Sequence, residues 1–226
     1  MAQDVFSVGK AVEKATEPIA DLVKRLAGPA ADEIGLTLQD SVKVYRAKRQ
    51  YRLFEKLKMF FEKRGTKPNP VSLKLLLPAL DYASVEDDEN LHSMWARLVS
   101  SAAVPDAKPK PYPAFVECLR QLSKEEAVFF SSFFADNKLK VLGRNSEGSG
   151  YPVIGHFGSL EDLYFSANGI ADPPRESRTA FIISLENMVR LGLFMRDNES
   201  IYHLTGFALM FGCLCCHDPG CWERTG

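Results

Sequence analysis

Residues Leu80–Ala103 read LDYASVEDDENLHSMWARLVSSAA, and this stretch decides the fold. Leu91, Trp95, Leu98 and Val99, with Met94 and Ala102 alongside, recur at intervals of three and four, so a helix here gathers them into one wide apolar face. Trp95 is the expected core anchor of that face. Ahead of it, Ser84 has the chemistry of an N-cap, and Glu86, Asp87, Asp88 and Glu89 would sit against the positive end of the helix dipole. A face this wide needs partners, and the neighbouring segments supply helices. The expected fold is mainly α, with an N-terminal helical lobe (1–104), a proline-rich linker (105–113) and a C-terminal winged-helix-like lobe with a small β-hairpin (114–226).

Upstream, Val5, Val8, Val12, Ala15, Ile19, Leu22 and Leu26 follow the spacing of a narrow packing seam, interrupted by Pro18. We read the seam as packing within the fold or between copies, ahead of an amphipathic membrane-disrupting segment. Gly28 and Pro29 open a long helix that runs to Gly65. Its outer face carries Lys43, Arg46, Lys48, Arg49, Arg52, Lys56, Lys58, Lys63 and Arg64 against only Glu55 and Glu62. Such a stripe can neutralise phosphates, with Lys43, Arg46, Arg49, Arg52 and Lys56 as the candidate contacts. The plainer reading, which we prefer, is a solvated face whose counterpart is the acidic run at Glu86–Glu89.

After TKPNP at Thr66–Pro70, residues Val71–Ala79 lead into the opening helix as one arm of a hairpin. VPDAKPKPYP at Val104–Pro113 forbids a continuous helix and marks the lobe boundary. Beyond it, SKEE at Ser123–Glu126 is a capping box ahead of Phe129, Phe130, Phe133 and Phe134. Leu139–Leu142 reads as a short strand, Arg144–Pro152 as a loop, and helices follow from Ser159 and from Asp172–Ser177 to Gly192. Leu193–Arg196 and Ile201–Leu204 flank the turn former Asp197–Ser200 as a hairpin, and Thr205 caps a last helix. In a DNA-binding winged helix the second helix enters the major groove, which makes Arg178 and Arg190 candidate contacts. The acidic turn Asp197–Ser200 favours protein contact instead.

At 226 residues, 46% apolar and 25% charged, with a net charge of −1, the composition is globular and nothing global attracts nucleic acid or an anionic membrane. No apolar run is long enough to span a bilayer and MAQDVFSVGK does not read as a signal peptide, so a cytoplasmic address with reduced thiols is expected. Cys213, Cys216, His217 and Cys221 form the one metal candidate, for zinc or copper, although paired knuckles are missing and buried cysteine also serves as a small hydrophobe. There is no nucleophile elbow, phosphate loop or H-E-x-x-H, so no catalytic residue is assigned and the chain is expected not to be an enzyme.

GPAADEIG at Gly28–Gly35, ASVEDDENLHSMWARLVSSA at Ala83–Ala102, FVECLRQLS at Phe115–Ser123, and LENMVRLGLF at Leu185–Phe194 followed by YHLTGFALMF at Tyr202–Phe211 together resemble the abortive infection alpha family of bacteria. The resemblance covers most of the chain. It implies a role in defence against bacteriophage, in which an infected cell stops growing or dies, and it implies no reaction. The expected partners are a protein or phage component, or a second copy of the chain. Nucleic-acid binding and membrane disruption are the alternatives.

Overall fold

The computed structural model describes Arg25 and residues 44–105, 110–134 and 153–216. The N-terminal seam, Lys43, the strand expected at Leu139–Leu142, and His217 and Cys221 lie outside the described residues. The chain divides into two units, Met1–Val116 and Glu117–Gly226. The described residues are mainly helical, with one small antiparallel sheet.

In the first unit, α1 (Val44–Arg64), α2 (Leu73–Ala83) and α3 (Glu89–Ala103) pack on one another. Leu53, Leu57 and Phe61 of α1, Leu76 and Leu80 of α2, and Leu91, Trp95, Leu98 and Val99 of α3 are buried together. Tyr82 stacks on Trp95 with ring centroids 6.0 Å apart. Gly65, at φ +63°, ends α1 in a left-handed conformation that glycine adopts without a Cβ penalty.

The start of α3 differs from the expectation. Asp88 is the N-cap, its carboxylate accepting from Asn90 N at 2.9 Å and Leu91 N at 3.0 Å. Ser84 belongs to the preceding helix. It has helical dihedrals at the C-terminus of α2, its amide is taken by Leu80 O and Asp81 O, and its hydroxyl donates to Asp81 O at 2.6 Å. A residue in αR geometry cannot cap the next helix, because capping needs the extended conformation that Asp88 adopts. Of the four acids, only Glu89 lies in the first turn of α3.

The helix α4 (Pro113–Arg120) carries the boundary between the units. The second unit then runs α5 (Lys124–Ser132), β1 (Val153–His156), α6 (Phe157–Ala167), α7 (Arg175–Arg190), β2 (Phe194–Arg196), β3 (Ile201–Leu204) and α8 (Gly206–Cys215). The capping box closes α5: Ser123 Oγ accepts from Glu126 N, and Glu126 Oε2 accepts from Ser123 N at 2.8 Å. Thr205 caps α8, accepting from Ala208 N at 3.0 Å while its hydroxyl donates to Gly192 O.

The expected hairpin is β2–β3, with Phe194 opposite Leu204 and Arg196 opposite Tyr202. It is part of a larger sheet. β1 pairs antiparallel with the other side of β3, giving the order β1-β3-β2. The sequence reading missed this third strand and began α6 two residues late, at Ser159. Around the sheet the core is aromatic: Phe129 lies 5.1 Å from Phe133, 5.4 Å from Tyr164 and 6.0 Å from Phe194, mostly edge to face. Gly212 of α8 lies against the Phe134 ring, with no room for a Cβ.

Candidate protein-interaction surface

The basic face of α1 is met by acids of the same unit. Arg46 donates to Asp81 and, through Nε, to Ser84 Oγ at 2.9 Å. Arg49 Nη2 donates to the Asp87 carbonyl at 3.1 Å and lies 3.4 Å from its carboxylate. Lys56 Nζ reaches Glu89 Oε1 at 2.5 Å and Ser93 Oγ at 2.8 Å. The hydrogen bond from Lys56 holds the Glu89 carboxyl below its usual pKa. Glu86 is used locally, its carboxylate accepting from Asp88 N at 3.0 Å. Arg52 is exposed on the same helix. Three of the five residues considered for phosphate binding are thus engaged with carboxylates, and Trp95 is part of the core beneath them.

In the second unit the two candidate arginines are also held. Arg178 grips Glu161 with two bonds, Nε to Oε1 at 2.6 Å and Nη2 to Oε2 at 3.0 Å. Arg190 bonds back to Asn187 Oδ1, whose amide nitrogen donates to the buried Glu126 carboxylate at 2.9 and 3.0 Å. These arginines are anchored to their own unit.

The outer face of α7 mixes charge with apolar surface, Arg175, Glu176, Arg178, Glu186 and Arg190 being exposed together with Ile182, Ile183 and Val189. Phe181, Leu185 and Met188 turn into the core, whereas Ile182 and Val189 are exposed, and Ile183 is 61% exposed. Ile182, Leu185, Glu186 and Val189 share a face at helical spacing and form one wall of a groove of about 390 Å³. Phe157, Arg196, Ser200 and Tyr202 complete it. The Arg196 guanidinium lies over the Tyr202 ring, 6.0 Å from its centroid, and donates to Ser200 Oγ at 2.6 Å.

The hairpin wall is held by its own turn. Asp197 accepts from Glu199 N and Ile201 N, both at 2.9 Å, and from His203 Nε2 at 2.9 Å. The bond from His203, with these amides, keeps the Asp197 carboxyl below its ordinary pKa. Ser200 sits at φ +64° where the turn closes. Sequence reasoning missed the groove. Its one signal was the pair Ile182–Ile183, because adjacent helical residues point about 100° apart and a narrow core stripe cannot take both.

Of the metal candidates, Cys213 is half-buried on α8 and Cys216 half-buried at its C-cap, where Cys216 Sγ lies 3.5 Å from Ser131 Oγ. No group of three or more His, Cys, Asp or Glu is placed to hold a metal among the described residues. Burial pushes the Cys118 thiol up to about 12, so it stays protonated at neutral pH.

A family model for abortive infection alpha matches residues 45–207. The chain belongs to the abortive infection alpha family. That membership carries an abortive-infection role, defence against phage. No curated protein and no solved structure matches the chain. In this abortive infection alpha protein the match takes in the α1–α3 bundle and the whole α7 groove, and it ends at Phe207, before Cys213 and Cys216. Among the described residues no helix is long and apolar enough to cross a membrane.

Proposed function

We propose that this abortive infection alpha protein acts in antiphage defence by protein contact, without catalysing a reaction, and that the α7 groove is its contact surface. The order helix, strand, two helices and a hairpin, with a β1-β3-β2 sheet, supports reading the second unit as a winged helix. In DNA-binding versions the helix equivalent to α7 meets base edges and the hairpin meets phosphates. Here that helix presents Ile182, Ile183, Glu186 and Val189 beside Arg175, Arg178 and Arg190, of which Arg178 is held by Glu161 and Arg190 by Asn187, and the hairpin turn carries Asp197 and Glu199. Isoleucines gain nothing against a phosphate backbone, and acids are repelled by it. The observation that carries the reading is the exposure of Ile182 and Val189 on the wall of an apolar groove, since contiguous exposed apolar surface marks contact sites.

The test is phage challenge of cells expressing the wild type or Ile182→Asp. A central apolar contact residue contributes enough that protection should fall at least about tenfold, with protein level and melting temperature unchanged. Full protection by the variant would remove the groove from the mechanism.

A further inference from the structure

We infer that the α7 groove is filled by a second copy of this chain, in a two-fold symmetric dimer; this rests on the contact reading proposed above and names its partner. Three features of the surface point to a copy of itself. The first is shape. Ile182 and Val189 stand exposed on the α7 wall of a concavity of about 390 Å³, so one molecule carries both an apolar ridge and a hole, and a two-fold axis lets each copy lay its ridge in the groove of the other.

The second is charge. Glu186 on α7 and Arg196 on β2 flank the apolar strip from opposite walls. Neither forms an ion pair with another described residue, and Arg196 gives one of its donors, on Nη2, to Ser200 Oγ. The patch holds one uncompensated acid and one uncompensated base. It is therefore its own electrostatic complement: about a two-fold axis, Glu186 of each copy faces Arg196 of the other, and both charges are matched at once.

The third is rigidity. Asp197 fixes the hairpin turn through three bonds, and Arg196 is held over Tyr202, so the wall carrying the base is set before association. A preformed surface loses little ordering entropy on docking.

The experiment is analytical ultracentrifugation of the full chain across a concentration series, with charge swaps. Wild type should dimerise. Glu186→Arg and Arg196→Glu should each weaken the dimer at least about tenfold, because each places like charges together twice. An equimolar mixture of the two variants should restore the dimer, since one chain then offers only arginines and the other only glutamates. Restoration also shows that both variants are folded. A wild type that stays monomeric at its highest soluble concentration, or a dimer indifferent to both swaps, overturns the inference. The two readings fail separately. If the wild type is monomeric and Ile182→Asp still abolishes protection, the groove serves another protein and the dimer alone is wrong. If Ile182→Asp dissociates the dimer and protection persists, the dimer stands and the proposed function falls.

Discussion

His92 is fully enclosed, and its Nε2 lies 3.1 Å from the Arg49 carbonyl oxygen. A carbonyl only accepts, so Nε2 carries the hydrogen, and Nδ1 is left buried with no hydrogen-bond partner among the described residues. Burial, then the nearby Lys56 charge, push the His92 pKa below 6.5, with Arg49 acting the same way, while the Arg49 carbonyl and Glu89 pull it up. The folded protein therefore binds this proton less readily than the unfolded chain. Stability from the neutral ring is fully present above the unfolded pKa and is lost as pH falls from about 6.5 towards the lower folded value. His92→Gln keeps a donor for Arg49 and removes the titration. The drop in melting temperature from about pH 7.5 to about pH 5 should be smaller in His92→Gln than in wild type, and equal drops would refute the assignment. The sequence showed His92 only as one of four scattered histidines, because its role depends on a carbonyl 43 positions away.

Among the elements, those whose instructions lie within a few residues were legible beforehand. The α3 apolar stripe, the Ser123–Glu126 capping box, the Thr205 cap and the β2–β3 hairpin all follow from local spacing and turn chemistry. β1 was not legible. Its four residues contain a single buried side chain, Ile154, and show no clear alternation; the strand exists because β3, nearly fifty residues later, supplies its hydrogen bonds. The groove was hidden for a related reason, since the aromatic core beneath α7 takes Phe181, Leu185 and Met188 and leaves Ile182, Ile183 and Val189 outside. The α3 start was misplaced because Ser84 and Asp88 both have cap chemistry, and the end of α2 claims the serine. Asp88→Ala should cost about 1 kcal/mol in chemical denaturation, the usual loss for an aspartate N-cap. Ser84→Ala acts elsewhere, removing the acceptor for Arg46 Nε and the bond to Asp81 O. An Asp88→Ala variant as stable as wild type would return the cap to Ser84.

For the whole molecule, the charge arrangement bears on what it can hold. Arg46, Arg49 and Lys56 already face Asp81, Asp87 and Glu89, and the net charge of the chain is −1. Labelled duplex DNA should show little binding by fluorescence anisotropy near physiological salt; tight binding that falls steeply as salt rises would mean that the stripe opens to phosphates. The family match runs from 45 to 207, across the division at Val116, so one family model takes in parts of both units as a single module. The bond between His92 and the Arg49 carbonyl has a consequence for how such a module tolerates sequence drift. The acceptor belongs to the main chain, so any residue at position 49 still supplies it, whereas position 92 must keep a donor of the right length. Substitutions at one end of the same bond are neutral with respect to it and at the other are not, and a library varied at both sites should recover this asymmetry.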